Sequence, residues 1–135
     1  MVSLVRGNRG QSVVEFALVL PLLLLILFGI TEFGRAWMTS NILTSAAREG
    51  ARLAVVTDPG VTYTSLVEAR VTQVCAAAGV TPASITVSGP DPADPERRVT
   101  VTVQANFRVL AGDILGDFTG TIPLRATSVM RHESL

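Results

Sequence analysis

The stretch RGNRGQSVVEF, Arg6 to Phe16, sets two arginines, a glycine and a carboxylate at the mouth of a long apolar run. A charge at the centre of a membrane helix costs about 2.5 to 3.5 kcal/mol on insertion scales, so such a residue needs a partner or a task. Glu15, five positions after Gly10, is that residue. Its chemistry would be ionic, because in a low-dielectric surround an unpaired carboxylate is far costlier than one facing a cation. Capping is the milder alternative: an acid in the first helical turn gains about 0.3 to 1 kcal/mol from the helix dipole. Both readings stay open on these residues alone.

Few other side chains offer chemistry. Cys75 is the single cysteine, so an internal disulfide framework and a multi-cysteine metal site are excluded. At helical spacing it sits beside Val71 and reads as a small core residue, with a reactive thiol the lesser alternative. The single histidine, His132, lies in the C-terminal tail. Asp113 and Asp117 in AGDILGDFTG hint at calcium, but no EF-hand pattern surrounds them. No Ser/His/Asp set, metal cluster or phosphate loop is visible, so the chain is expected not to be an enzyme, with no cofactor and no small-molecule substrate. Eleven basic residues, all Arg, balance eleven acids, and no global basic field points to nucleic acid.

The elements that must position Glu15 begin with FALVLPLLLLILFGI, Phe16 to Ile30, which carries no charge. Spanning a bilayer takes about 17 to 25 residues, which the run reaches if counted from Val13. A secretory signal peptide is the alternative, with Arg6 and Arg9 as its basic start and Gly34-Arg35-Ala36 as a small-residue cleavage site. Against removal, helical periodicity continues past the run: Ala36, Leu43, Ala47, Ala51 and Ala54 share one face. The pattern predicts one helix from Ser12 to Val56, ended by Asp58-Pro59-Gly60, about 65 Å long at 1.5 Å per residue, with a bend near Gly29 or Gly34. Its second half must then stand in water against something. Pro21 reads as a tolerated membrane-helix proline. Small residues at Ala46, Ala47, Gly50 and Ala51 allow close approach, either to another helix or to the chain's own sheet. Arg6 and Arg9 precede the run and nothing basic follows it until Arg35, which places the N-terminus in the cytoplasm and the bulk of the chain outside.

A second helix is expected from the capping-box pattern at Ser65 and Glu68 to Gly79, with Val67, Val71, Val74 and Ala78 inward. Three strands follow. Ile85 and Val87 mark the first; Val99, Val101, Val103, Ala105, Phe107 and Val109 alternate with polar residues in the second. Ile122, Leu124, Ala126, Ser128 and Met130 form the third, which Pro123 makes late-starting or an edge. GPDPADPERR between the first two is a loop. The expected class is α+β: a long N-terminal helix, membrane-spanning in its first half, then one further helix and a three-stranded antiparallel sheet that both helices cover.

The run RGQSVVEFALVLPLLLLILFGITEFGRAWMTSNILTSAAREGARLA, with the closing ATSVMRHE, resembles the TadE-like family, minor pilin-like proteins of tight-adherence (Flp-type) pilus systems. The resemblance is strong from Arg9 to Ala54 and weak beyond. A Gly, four residues, then Glu-Phe is similar to the processing site of type IV prepilin-like proteins. The resemblance implies that a prepilin peptidase cuts between Gly10 and Gln11, and that Glu15 and Phe16 lie at the assembly end of the mature helix. There the glutamate faces the free amino group of an adjacent subunit and sets the axial register of a fibre. The implied organisation is a cytoplasmic leader (1–10), a transmembrane helix (11–30), its extracytoplasmic continuation (31–56) and a small soluble domain (57–135). The lipid bilayer, the prepilin peptidase and other pilin-like and pilus assembly subunits are the implied partners. Major subunits of this kind are very short, so a soluble domain of this size implies a minor, tip, priming or membrane-retained role. The rival is a membrane-anchored or secreted small binding domain whose apolar run serves only for anchoring or export.

Overall fold

The computed structural model describes residues 9–58, 62–91, 93–110 and 120–131. Arg6, the Arg9 side chain, Pro59, Gly60, Asp113, Asp117 and His132 lie outside what is described. Helix α1 runs unbroken over Arg9–Val56, 48 residues, with Pro21 inside it and no interruption at Gly29 or Gly34. It starts three residues before the expected Ser12. Gly10 alone does not break a helix whose neighbours are all compatible with one, and the N–H groups of the first turn need no intrahelical acceptor. Pro21 removes the donor that would serve the carbonyl of Ala17, a local loss that the rest of the helix carries. Thr31, Thr39 and Thr44 turn their hydroxyls back to the carbonyls of Leu27, Arg35 and Ser40 at 2.9, 3.0 and 2.9 Å, so these polar groups need no outside partner.

Helix α2 spans Tyr63–Ala77. The expected capping box is not formed. Thr62 occupies the cap position without a side-chain bond, and Ser65, already helical, donates its hydroxyl to the Thr62 carbonyl at 2.9 Å. The helix starts earlier because Tyr63 lies one turn before Val67 on the buried face, and burying its ring to 6% exposure favours the extra turn. The far end follows expectation: Gly79 takes φ +71°, its N–H bonds to Ala76 and that of Val80 to Cys75, which closes the helix. The buried face is Tyr63, Val67, Val71 and Cys75, whereas Val74 is half-buried and Ala78 exposed. The expected stripe is therefore turned slightly, and Cys75 lies on it.

Strands β1 (Ser84–Ser88), β2 (Arg98–Arg108) and β3 (Thr121–Arg131) form an antiparallel sheet in that order. Val103 pairs with Ile85 on one side and Ala126 on the other, and Val101 with Val87 and Ser128. One face of β2, Val99, Val101, Val103, Ala105 and Phe107, is thereby buried, as the alternation requires. The strand stops before Val109. Pro123 sits opposite Asn106 on β3, an edge strand, where a missing N–H costs little. On the other face Thr102 is also buried, its hydroxyl 3.1 Å from that of Thr127.

Leu43, Ala46, Ala47, Ala51 and Ala54 of α1 close the core over α2 and the sheet. The small-residue strip thus faces the chain's own domain. A Cβ on Gly50 would stand 2.5 Å from Cγ2 of Val71 and 3.3 Å from Cγ1 of Val101, so the glycine is what lets α2 and β2 approach α1 so closely. Valines 67, 71, 99, 101 and 103 are fully buried, and each contributes about 1.5 to 3 kcal/mol of apolar burial. The alanines mainly set the spacing.

Candidate functional site

Nothing in the fold covers the first half of α1. From Gly10 to Phe33 every residue is exposed except Leu20 and Glu32, which are half-buried, and the large apolar side chains from Val13 to Ile30 stand open on all sides of the helix. This is one helix long and apolar enough to cross a membrane. In water such a surface would be held open against the hydrophobic effect over its whole circumference, whereas a soluble helix hides one stripe.

The residues expected to act lie in its first turns. Gly10 and Gln11 are already helical, and a Cβ on Gly10 would meet nothing within 4 Å. Phe16 is 63% exposed. Glu15 is exposed too, and Gln11 donates its amide Nε2 to Glu15 Oε1 at 3.1 Å, one turn away. The fold therefore brings Gly10, Gln11 and Glu15 to one helix end, with a neutral donor on the carboxylate. Arg6 and the Arg9 side chain lie outside this description.

A second constellation went unread in the sequence. At the C-terminal end of the apolar run Glu32 and Arg35 form an ion pair at 2.9 Å, and Glu32 Oε1 also accepts the backbone N–H of Leu110 at 3.2 Å. The Arg35 guanidinium stands 5.1 Å from the centroid of the Phe107 ring. The helix is thus clamped to the end of β2 just where it leaves the apolar segment. Opposite charges at i and i+3 were the available signal, but nothing local says where the end of β2 will lie. Beside it Phe33 and Trp37 stack with centroids 6.3 Å apart, both largely exposed.

Elsewhere the ionic groups hold structure together. Arg70 joins α2 to α1 through Glu49 at 2.8 Å, and its hydrogen bond holds the Glu49 carboxyl below its ordinary range. In the β1–β2 loop Asp94 accepts from the backbone of Glu96 and from Arg98 at 3.0 Å, which lowers its pKa and raises that of Arg98. Burial pushes the Cys75 thiol up, away from the reactive thiolate. Among the described residues no group of three or more His, Cys, Asp or Glu could hold a metal ion.

The fold and this end of α1 together define a class: a small α+β domain carried on a single long helix whose free half is shaped for a membrane. Residues 10–52 match the family model described as TadE-like protein, so the resemblance read from the N-terminal motifs is borne out over that segment. The match covers the apolar half of α1 and most of its packed half, and the apolar helix fits a membrane anchor. No curated protein and no solved structure matches the chain.

Proposed function

We propose that the chain is a minor pilin-like, pseudopilin component of a tight-adherence pilus assembly system, acting through its helix and not as an enzyme. The observation that carries this reading is that the TadE-like match spans Gly10, Gln11, Glu15, Phe16 and the whole apolar run, the part of the chain its own fold leaves uncovered. In this reading residues 1–10 are a cytoplasmic leader that a prepilin peptidase removes after Gly10, and Arg6 and Arg9 hold that end inside. Residues 11–30 cross the bilayer, 31–56 continue the helix outside, and 57–135 form the extracytoplasmic domain. Cleavage creates an α-amino group on Gln11, largely protonated near neutrality with a pKa of about 7.7 to 8.0. The Gln11 amide now on Glu15 is a neutral donor, and a charged amino group from an adjacent subunit is the stronger partner in a low-dielectric surround. That exchange would set axial register. Because α1 already includes Gly10 and Gln11, the peptidase must first unwind its first turn, whose N–H groups have no helical partners to lose.

Mass spectrometry of the mature protein tests the processing step: a chain beginning at Gln11 supports the reading, one beginning near Trp37 marks a removed signal peptide, and an intact Met1 marks a plain anchor. Glu15→Gln tests the mechanism. The variant should insert at normal levels and lose co-purification with other pilus components; processing is scored separately, to distinguish failed cleavage from failed assembly. Normal piliation with Gln at this position refutes register setting.

A further inference from the structure

The face of the sheet turned away from the helices is uncovered. Both helices pack on the other face, and among the described residues nothing lies over this one. The register assigns its members: Ser84, Thr86 and Ser88 of β1 line up with even-numbered positions of β2, and those with odd-numbered positions of β3. Four of these residues are arginines, Arg98 and Arg108 on β2 and Arg125 and Arg131 on β3, all exposed, and none is acidic. All but Pro123 and Val129 of the remainder carry a hydroxyl or a side-chain amide.

Eleven basic residues balance eleven acids in the chain as a whole, so the sign of this face is a matter of placement and not of composition. The placement works against stability. Arg98 stands directly opposite Arg131, and like charges so paired destabilise a sheet. Asp94 and Glu96 offset this from one side only, both through Nε of Arg98, at 3.0 and 3.4 Å. Charges on an edge strand ward off edge-to-edge pairing, which accounts for Arg125 and Arg131. It does not account for Arg98 and Arg108, which lie on the central strand. From Arg131 to Arg125 is about 20 Å along β3, and the level of Arg108, opposite Thr121, is about 13 Å further, so the arginines mark out a flat strip about 33 Å long.

We propose that this face is a docking surface for an acidic polysaccharide, a carboxylated glycan chain laid along the strands. A planar guanidinium binds a carboxylate through two parallel N–H groups, and the polar groups between the arginines, Thr86, Gln104 and Asn106 among them, can pair with sugar hydroxyls. Other polyanions fit less well. Single-stranded nucleic acid is held by stacking its bases on aromatic rings, and this face has none. An acidic peptide taken up by a sheet pairs with an edge through its main chain, whereas these arginines stand on the face. The inference needs the fold alone and does not rest on the pilin-like reading.

The test uses the full chain in nonionic detergent, titrated against labelled polygalacturonate, with dextran, polyglutamate and an oligothymidylate of similar length as comparisons. Polygalacturonate should bind most tightly and more weakly as salt rises, and dextran should not bind. Arg125→Gln with Arg131→Gln should lower the affinity for polygalacturonate about tenfold or more. Arg48→Gln with Arg52→Gln, the same loss of charge at exposed positions of α1, should change it by less than about twofold. Protection of the buried Cys75 from thiol reagents shows that each variant is folded. Equal losses in the two double variants mean attraction to charge in general and overturn the proposal. Tighter binding of polyglutamate or of the oligothymidylate also overturns it, assigning the face to an acidic protein or to a nucleic acid. Polygalacturonate that fails to bind at low salt overturns it outright.

Discussion

Gly50→Ala adds one methyl at the tightest point of the domain, and its effect follows from competing terms. On an open helix the change would stabilise by about 1 kcal/mol, the difference in helix propensity. Here the new Cβ would stand 2.5 Å from Val71 Cγ2, 3.3 Å from Val101 Cγ1 and 3.5 Å from Val67 Cγ1. Carbon atoms rest at about 3.5 to 4.0 Å, so the first contact is short by about 1 Å or more. Val71, Val101 and Val67 are fully buried and β-branched, with no open space to swing into. Overpacking of this kind costs about 1 to 3 kcal/mol, and the stiffness on all sides places this case at the upper end. The net expectation is a loss of about 1 to 2 kcal/mol, a midpoint lower by roughly 5 to 15 °C for a domain of this size. Cys75, buried in the same cluster, supplies the readout: the temperature at which its thiol reacts in the full chain in detergent reports opening of this core and not of the apolar helix. Gly34→Ala is the control, since its Cβ would meet nothing within 4 Å. Val71→Ala in the Gly50→Ala background should recover part of the loss, because the space vacated lies where the methyl must go. A Gly50→Ala midpoint equal to or above that of Gly34→Ala would refute the reasoning.

Glu32→Gln should weaken the clamp between α1 and the end of β2, since the bond from Leu110 N–H becomes a neutral one and the ion pair with Arg35 is reduced to a hydrogen bond charged on one side only. Hydrogen exchange at the Leu110 amide should speed about five- to tenfold, roughly 1 kcal/mol, with the Cys75 core unchanged. Acidification should destabilise the domain through Glu49 and Asp94, whose folded pKa values lie below their ordinary ones. A lowered carboxylate contributes stability above its unfolded pKa and loses it as pH falls through the folded value. The Cys75 midpoint should therefore hold steady from about pH 7 to 5 and fall below about pH 4; a midpoint that rises on acidification contradicts this. Gly10→Leu should leave full-length precursor in the membrane, and a chain still starting at Gln11 would show that the cleavage site is assigned wrongly.

Most of the fold could be read from periodicity. The alternation from Val99 to Phe107 specified β2 and its buried face, and the Ala36–Ala54 stripe specified the second half of α1, because burial on one side is what writes such patterns. Local signals competed less well. Ser65 and Glu68 have the spacing of a capping box, yet the free energy of burying Tyr63 drew the helix start upstream, a tertiary effect that no window of neighbouring residues contains. The strip Ala46–Ala51 was legible as a close-approach surface but not as to partner. Only the three-dimensional meeting of Gly50 with Val71 and Val101 settles that. At the candidate site the positions of Gly10, Gln11 and Glu15 were legible because they are adjacent along one helix. The Glu32–Leu110 contact joins residues 78 apart and was not.

The unbroken course of α1 has a geometric consequence for anything that must engage both its ends. Each residue of an α-helix advances about 1.5 Å and turns about 100°. Glu15 and the sheet-covering face at Leu43–Ala54 belong to the same rod, so their mutual azimuth is fixed by a residue count and by nothing softer. One alanine inserted after Gly29 would leave hydropathy, length and fold nearly as they are, yet swing the domain by about 100° around the axis relative to Glu15. Seven would return it to within about 20° while raising it by about 10 Å. Substitutions among the leucines change how firmly the helix is held; insertions and deletions change where the domain is aimed.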